Sequence, residues 1–480
     1  MKPAIITVAL LFAILQKTFT QGYTPKIESC PCLIKIDSRL VSRCGYLVVP
    51  ENRQKSGGRN IKIPFVFVRK PDADSAKNIT LFTTGGPGYS TIANYDSFRY
   101  SSGLLKFGGF IVFDQRGTKN AQPCLDCAGM GLAIKRAYRE NLPKDSLVME
   151  ATIRCRKELL AQGIDLSAYN TIESANDIDD LRKALGIDSM NLFGISYSGG
   201  LMLTVARNHP AAVKSLILSS PLPGYVNYEE DALFNINEAL NQVFDNCETD
   251  STDKGLYGNL RNRFHEYFTS IGGKSFYISY VDKGAPDTLQ IKYTRNELLD
   301  AIVNRLNTAQ LKTVPHVMNE LIKGNHEPYV REVLNNYFNG DAKISYGMRF
   351  SVYCSEQIEY ANEALIRKQD EILPWLAGYP FNNVNHKICN CWNVKPEPKE
   401  AKWPVYSRVP AIIAGGDADP WCRPFYNRLI KRYMPNSQLL LVHDQGHLPG
   451  FSVDGEDFIK MFFENPYKKL VSGTRNAKVE

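Results

Sequence analysis

Short, uniformly apolar segments that begin and end abruptly at Gly, Pro or Asp recur along the chain. In order they read ITLFTTGG, FGGFIVFDQRG, MNLFGIS, VKSLILSSP, VPAIIAGGD and SQLLLVHDQG. They are rich in β-branched residues and lack the alternation of a half-exposed strand, which is typical of strands in a parallel sheet covered on both faces. Helical patterns lie between them; in SANDIDDLRKALG, for example, Ile178, Leu181 and Leu185 follow helical spacing and Gly186 ends the helix. The alternation predicts a doubly wound, mostly parallel α/β sheet.

Two further strands are predicted near the start. CGYLVVPENR (residues 44–53) and NIKIPFVFVRK (residues 60–70) are joined by a turn at Gly57-Gly58.

The strand–helix alternation stops after Pro221 and resumes near Val409. The long stretch between reads as mostly helical, for example NELLDAIVNRL and ANEALIRKQDEIL. A chain of 480 residues exceeds the roughly 250–300 residues at which one core stops growing. We therefore expect a first part of the sheet domain over residues 21–221, a helical cap insertion over 222–403 and the second part over 404–480. The last ten residues, VSGTRNAKVE, read as a loose tail.

The N-terminus predicts export. A single Lys precedes the apolar run Ala4–Leu15, which is shorter than the roughly 20 residues of a membrane span and typical of a secretory signal. We expect residues 1–20 to be a signal peptide and the protein to be secreted or periplasmic, without stable membrane insertion; an uncleaved anchor is the alternative. The net charge of +7 is scattered rather than clustered, which argues against a nucleic-acid partner.

The chain has 11 cysteines, an odd number that leaves at least one thiol free or intermolecular. Cys-x-Cys occurs at 30/32 and at 389/391, a spacing that metal sites also use. No His-x-x-His or paired Cys-x-x-Cys frame accompanies it, so disulfides are the preferred interpretation for an exported chain.

The segment GISYS places Ser196 directly after an apolar strand and before a helical pattern, as in a nucleophile elbow. This sharp turn needs small residues two before and two after the serine. Gly194 fills the first position, whereas Ser198 stands where glycine is usual. A shifted frame with Ser198 as the nucleophile is the alternative.

A serine hydroxyl needs a general base, usually a histidine oriented by a carboxylate. In α/β-hydrolases the acid and then the base follow the serine along the chain. Asp419, in the turn GGDADP, and His447, in the loop after SQLLLV, supply that order. Asp417 is the rival acid and His443 the rival base.

Attack on a carbonyl also creates an oxyanion, which two backbone N–H groups should stabilise. One donor is expected from Tyr197, the residue after the nucleophile. The glycine-rich turn TTGGPGYS follows an early strand, and Gly86 is the expected second donor.

The motifs GGPGYS, FDQRGTKNAQP, GISYSGG, AGGDADP and QGH, in that order, resemble the secreted α/β-hydrolases of the prolyl aminopeptidase and tripeptidyl aminopeptidase family. CGYLVVPENR, LSAYNTIESANDIDDLRKALG, FSVYCSEQ and CNCW agree with it, so the resemblance spans roughly residues 44–450. It implies the α/β-hydrolase fold with a large, mainly helical cap, and serine exopeptidase chemistry at the free N-terminus of peptides. By motif position it places the nucleophile on Ser196, the acid on Asp419 and the base on His447.

The resemblance also implies a substrate-binding acid and disulfide pairings, and this sequence departs from it at two places. Glu356 is implied as the partner of the substrate α-amine, with Glu359 second. Ser198 and the segment Lys119-Asn120-Ala121 depart from the family pattern. The implied disulfides are Cys354 with Cys391 or Cys389, Cys124 with Cys155, and Cys44 with Cys30 or Cys32.

The sequence is compatible with three functions. The first is a secreted serine aminopeptidase that requires no metal or organic cofactor. The second is an esterase or lipase, because fold and triad do not choose between ester and amide. The third is a catalytically silent binding protein on the same fold.

Overall fold

The apolar segments of the sequence form strands of one 10-stranded sheet in the computed structural model, which describes residues 23–284 and 287–480. The predicted signal peptide, residues 1–20, lies outside the described residues. The strands are β1 (Lys26–Ser29), β2 (Lys35–Ile36), β3 (Val41–Pro50), β4 (Asn60–Arg69), β5 (Ile79–Thr83), β6 (Ser97–Phe98), β7 (Phe110–Phe113), β8 (Met190–Ile195), β9 (Val213–Ser219), β10 (Ser275–Val281), β11 (Thr288–Thr294), β12 (Ala411–Gly416), β13 (Ser437–Val442), β14 (Ser452–Val453), β15 (Glu456–Asp457) and β16 (Ala477–Val479).

The helices follow in chain order. They are α1 (Gly129–Glu140), α2 (Lys144–Ala161), α3 (Thr171–Leu185), α4 (Tyr197–Asn208), α5 (Ala232–Thr249), α6 (Ser251–Leu256), α7 (Leu260–Ser270), α8 (Arg295–Val303), α9 (Val314–Ile322), α10 (Glu327–Asn339), α11 (Tyr346–Glu356), α12 (Glu363–Ile372), α13 (His386–Trp392), α14 (Pro424–Tyr433) and α15 (Phe458–Glu464). The predicted helix over 174–186 is α3, which begins three residues earlier because the Asn170 side chain caps it by accepting the Glu173 N–H.

The main sheet has the order β1-β3-β4-β7-β5-β8-β9-β12-β13-β16. Its centre, from β7 to β13, is parallel throughout, and these are the strands predicted from the apolar segments. The predicted pair β3–β4 is an antiparallel hairpin. The doubly wound, mostly parallel sheet is therefore confirmed.

Apolar side chains on both faces of the sheet are buried under helices. On one face Leu192 and Leu216 pack with Leu181 of α3 and Leu203 of α4. On the other face, strands β9, β12 and β13 pack against Phe458 and Phe462 of α15. Full burial of such a side chain contributes about 1.5–3 kcal/mol, so coverage of both faces explains why the strands carry no polar alternation.

None of the main-sheet strands that the structure describes lies between β9 and β12 in the chain. We call residues 222–403 the cap. It contains α5–α13 around an apolar core that includes Phe244, Phe264 and Leu298. It also contains the antiparallel hairpin β10–β11, which the sequence analysis did not predict. Helix α1, which precedes the elbow, joins this layer, since Tyr138 packs in the cap core and donates to Glu297.

The C-terminus differs from its prediction as a loose tail. Strand β16 pairs antiparallel with β13 and completes the sheet. The backbones of Leu439 and Glu480 exchange hydrogen bonds of 3.1 and 2.8 Å, and Arg428 binds the Glu480 carboxylate at 3.0 Å. Without β16, the outer side of β13 would expose unpaired backbone groups, which is why a polar segment adopts a strand here.

The described residues contain three disulfides: Cys32–Cys44, Cys127–Cys155 and Cys354–Cys389. The first and third agree with the implied pairings, but the implied pair Cys124–Cys155 is wrong. Cys127 immediately precedes α1, which packs on α2, so its Cα lies 5.4 Å from that of Cys155. Cys124 instead lies beside Ser345 of the cap, with the thiol 3.6 Å from the hydroxyl.

Over residues 23–284 and 287–480, the helices include none with the length and apolar character needed to cross a membrane.

Candidate active site

Ser196 occupies a sharp turn between β8 and α4. Its backbone has φ 54° and ψ −126°, a conformation that non-glycine residues rarely adopt and that is typical of a strained functional turn. A Cβ on Gly194 would lie 2.5 Å from the Ser198 carbonyl oxygen and 2.8 Å from Met202. The turn can therefore close only with glycine two residues before the serine.

Ser198, the departure from the usual glycine, is fully buried in this turn. Its hydroxyl donates to the Thr83 carbonyl at 2.7 Å and accepts from the Ile195 N–H at 2.8 Å. The extra hydroxyl thus ties the elbow to the end of β5. The alternative frame with Ser198 as nucleophile gains no support, because this oxygen is buried and engaged with the backbone.

Asp419 and His447 are brought together at the carboxyl end of the parallel strands. His447 Nδ1 lies 2.8 Å from Asp419 Oδ2, and the other carboxylate oxygen accepts the N–H groups of Trp421 and Cys422 at 2.9 Å each. Burial alone would raise the pKa of the fully buried Asp419, but the His447 imidazole and these donors outweigh it and hold the pKa below its usual range. The carboxylate therefore stays ionised and orients the ring, leaving Nε2 as the nitrogen that can act as a base.

The rival residues pair with each other instead. His443 Nδ1 lies 3.3 Å from Asp417 Oδ2, and Asp417 also accepts the N–H groups of Asp444 and Gln445. This second pair fixes the turn at the start of the loop that carries His447. It is a structural pair beside the first one, not part of it.

The serine lies next to the acid–base pair. Ser196 Oγ is 4.0 Å from the Sγ of Cys422. Asp419, Cys422 and His447 each offer one potential ligand atom, and these three atoms lie within 4.8 Å of one another. Asp419 and His447 thus meet in one cluster with Cys422, which the sequence did not single out, and Ser196 approaches this cluster at Cys422.

The predicted oxyanion loop packs directly on the elbow. A Cβ on Gly85 would lie 2.8 Å from the Cβ of Ser196 and 3.3 Å from the Tyr197 nitrogen. Tyr197 is the first residue of α4, so its N–H has no partner within the helix. The Gly86 N–H donates to no acceptor within residues 23–284 and 287–480. Both expected donors therefore belong to segments that flank Ser196.

Arg349 of α11 connects the cap to this loop. Its Nη1 donates to the Gly86 carbonyl at 2.7 Å, and its Nη2 donates to Asn382 at 2.9 Å. The Ser345 N–H also donates to the Gly88 carbonyl at 2.8 Å. The sequence did not predict these residues, because nothing in the local pattern of α11 distinguishes Arg349 from a surface arginine.

The cap also contacts the loop that carries the candidate base. The His447 N–H donates to the Leu306 carbonyl at 3.0 Å, and the Thr308 hydroxyl donates to the His447 carbonyl at 3.2 Å. The cap backbone therefore holds the segments on both sides of Ser196.

Glu356 lines a small cavity beside the elbow with Tyr197, Leu222 and Tyr353. Burial, together with the charge of Glu397, raises the pKa of Glu356 to about 8. Burial likewise lowers the pKa of the neighbouring Lys402 to about 8.

Glu359 is exposed and does not line this cavity. Glu229, which the sequence did not single out, is a second acid in the cap with a raised pKa. Burial raises the pKa of Glu229 to about 7, and it accepts the Asn382 amide at 2.6 Å. Asn382 is the residue that also binds Arg349, so Glu229 is two side chains away from the oxyanion loop.

Of Lys119, Asn120 and Ala121, which depart from the family pattern, Asn120 contacts the end of the same loop at Ser90. Asn120 points its amide at the hydroxyl of Ser90 and a carboxylate oxygen of Asp114, 3.4 Å from each. Lys119 forms an ion pair with an acid in the next turn. The departure removes no group from the cluster around Ser196.

Comparison with known proteins supports the fold. A family model described as the alpha/beta hydrolase fold matches residues 81–248. The chain is 25% identical over 190 residues to "Putative hydrolase YuaR" of Escherichia coli (strain K12), covering 36% of this chain and 35% of that one. It is 25% identical over 192 residues to "Tripeptidyl aminopeptidase" of Streptomyces lividans, covering 37% and 35%. The matched segment thus spans about a third of the length of these relatives.

Among solved structures, the chain is similar to MGS-M2, an alpha/beta hydrolase enzyme from a Medee basin deep-sea metagenome library. The TM-score is 0.36 with 12% identity, covering 86% of this chain and 98% of that one. The family match and the strand order together give the chain the α/β-hydrolase fold.

Proposed function

We propose that the protein is a serine hydrolase of the aminopeptidase type. The observation that carries the hydrolase part is the contact of 2.8 Å between Asp419 and His447 beside a serine in a strained elbow. In this reaction the Nε2 of His447 takes the hydroxyl proton of Ser196 as the oxygen attacks the carbonyl carbon. The same proton then passes to the leaving amine, and water attacks the resulting ester to release the acyl group.

The negative charge that develops on the carbonyl oxygen is stabilised by the N–H groups of Gly86 and Tyr197. Each such donor typically contributes about 10²–10³ in rate. Arg349 supports this role because it fixes the Gly86 carbonyl, which orients the peptide units of the loop.

The aminopeptidase part rests on the acid in the cavity beside the elbow. A substrate with a free N-terminus carries a cation close to its scissile bond, and a buried carboxylate is the natural partner for that cation. Glu356 is the proposed partner, since it shares the cavity with Tyr197. The partial similarity to tripeptidyl aminopeptidases agrees with this substrate class.

Export of the protein is part of the proposal. Three disulfides within the described residues favour an oxidising compartment, where such bonds form and persist. The sequence of residues 1–20 agrees with this location.

Esterase activity is the second candidate. Beside the polar residues Thr171, Glu356 and Gln357, the cavity wall near the elbow includes Pro87, Leu222 and Tyr353, and this part of the wall would suit an apolar acyl group.

A substrate panel separates the candidates. Peptidyl amides with free N-termini, their acetylated copies and p-nitrophenyl esters are compared in the wild type, Ser196→Ala and Glu356→Gln. We expect preference for free N-termini, loss of all turnover in Ser196→Ala and loss of that preference in Glu356→Gln. Turnover of esters alone would contradict the aminopeptidase assignment. A folded wild type whose Ser196 is not labelled by a fluorophosphonate would contradict hydrolase chemistry and favour a binding protein.

A further inference from the structure

Cys422 is a buried thiol at the active site to which the proposed reaction gives no role. Its Sγ lies 4.0 Å from the nucleophile oxygen, and its backbone N–H donates to Asp419. The donor atoms of Asp419, Cys422 and His447 lie within 4.8 Å of one another. Of the His, Cys, Asp and Glu side chains that the structure describes, no other three come together in this way.

Thiolate sulfur, imidazole nitrogen and carboxylate oxygen are the protein ligands that Zn²⁺ prefers. Zinc bonds of about 2.0–2.3 Å in a tetrahedron place the ligand atoms about 3.3–3.7 Å apart. The longest separation in the cluster must therefore shorten by about 1 Å, whereas Asp419 Oδ2 and His447 Nδ1, which are 2.8 Å apart, must separate by about 0.5 Å if Nδ1 is the ligand. Asp419 and Cys422 share one tight turn, so the ring of His447, which is partly exposed, is the ligand that would move.

We propose that Asp419, Cys422 and His447 form a Zn²⁺ site whose occupation switches the active site off. Binding forms zinc bonds to sulfur, nitrogen and oxygen and breaks the thiol S–H bond, whose proton leaves to solvent. The thiolate and the carboxylate together balance the two positive charges of the ion, as a buried site requires.

The switch acts through the imidazole of His447. If zinc binds Nδ1, it displaces the proton shared with Asp419, and that proton moves to Nε2. If zinc binds Nε2, it takes the lone pair directly. In both cases the ring has no lone pair left for the hydroxyl proton of Ser196, so acylation stops. The switching step, but not the metal binding, depends on the proposed function.

The chain provides a matched control for the thiol. Asp417 and His443 form a second carboxylate–imidazole pair, at 3.3 Å, on the same two loops. If a carboxylate and an imidazole sufficed, this more exposed pair would bind zinc equally well. The variants Cys422→Ser and His443→Gln therefore separate the proposed site from ordinary surface binding, and Cys391→Ser controls for another free thiol.

The test uses the full chain, freed of metal by a chelator. Co²⁺ serves as the spectroscopic probe, since thiolate ligation gives a charge-transfer band in the near ultraviolet. We expect this band at one equivalent in the wild type, in His443→Gln and in Cys391→Ser, and its loss in Cys422→Ser. Buffered free Zn²⁺ should slow fluorophosphonate labelling of Ser196 reversibly. Cys422→Ser should need at least about tenfold more zinc for the same effect.

Absence of the thiolate band in the folded wild type overturns the site, and this result needs no variant to fold. A band accompanied by unchanged labelling in zinc overturns the switch. Equal zinc sensitivity of wild type and Cys422→Ser also overturns it, and Cys422→Thr repeats that comparison if the serine variant is unstable. If Ser196 is never labelled, even without metal, the proposed hydrolase function has failed while the cobalt band still decides the site.

Discussion

Replacing Gly85 by alanine should disable the active site without unfolding the chain. The added Cβ would lie 2.7 Å from the Ile195 carbonyl oxygen and 2.8 Å from the Cβ of Ser196. Neither atom belongs to a flexible side chain, so neither can move aside cheaply. Because ordinary carbon contacts begin near 3.4 Å, the loop that carries Gly86 must retreat by roughly 0.7 Å.

This displacement is large compared with the range of donor–oxyanion distances that stabilises the negative charge. The donors must lie about 2.7–3.1 Å from the oxyanion, and loss of one donor typically costs about 10²–10³ in kcat. We expect a loss of that size in turnover and in the rate of fluorophosphonate labelling of Ser196. The strain should cost about 1–3 kcal/mol of stability, which leaves the chain folded at room temperature.

The assay combines labelling rate, turnover and thermal unfolding for the wild type, Gly85→Ala and a control. Gly103→Ala is that control, because a Cβ on this exposed glycine would have no atom within 4 Å. It should keep wild-type rates and a stability within about 0.5 kcal/mol. A folded Gly85→Ala protein with wild-type labelling would refute the packing of the oxyanion loop on the elbow.

Other substitutions test the neighbouring groups through steady-state kinetics. Asp419→Asn should lower kcat by about 10⁴, whereas Asp417→Asn, which weakens only the turn before the base, should lose about 1 kcal/mol of stability and little of kcat. Arg349→Met should lower kcat by about 10–100-fold with KM little changed, because the Gly86 carbonyl loses its donor. For substrates with free N-termini, kcat/KM should rise with pH as Glu356 ionises, with its pKa of about 8. It should fall again as the substrate α-amine, with an ordinary pKa near 8, loses its proton. Glu356→Gln should remove from that profile the rise that belongs to Glu356; an identical pH profile would contradict the assignment.

The parts of the molecule that the sequence predicted are those governed by local pattern. The parallel strands were visible because burial on both faces removes polar residues from every position. The elbow was visible because the turn at Ser196 needs small neighbours, and the order of Asp419 and His447 follows from the order of the strands that carry them. The roles of these residues in catalysis remain predictions.

The features that the sequence did not predict depend on packing between distant segments. Cys127 and Cys124 stand three positions apart, and only the packing of α1 on α2 decides which of them meets Cys155. The polar strand β16 exists because β13 offers it backbone partners. Arg349 and Glu229 acquire their surroundings only when the cap folds onto the sheet.

The attachment of the cap at both loops limits how the protein can be altered. Residues near Ser345 and near Leu306 are bonded through their backbones to the segments that carry Gly86 and His447. Replacing the cap with that of a homologue would therefore remove the hydrogen bonds that hold the loops of Gly86 and His447, along with the walls of the cavity. Specificity should therefore be altered by substituting side chains within the existing cap. We expect the natural sequence changes of this protein to be confined to such side chains as well.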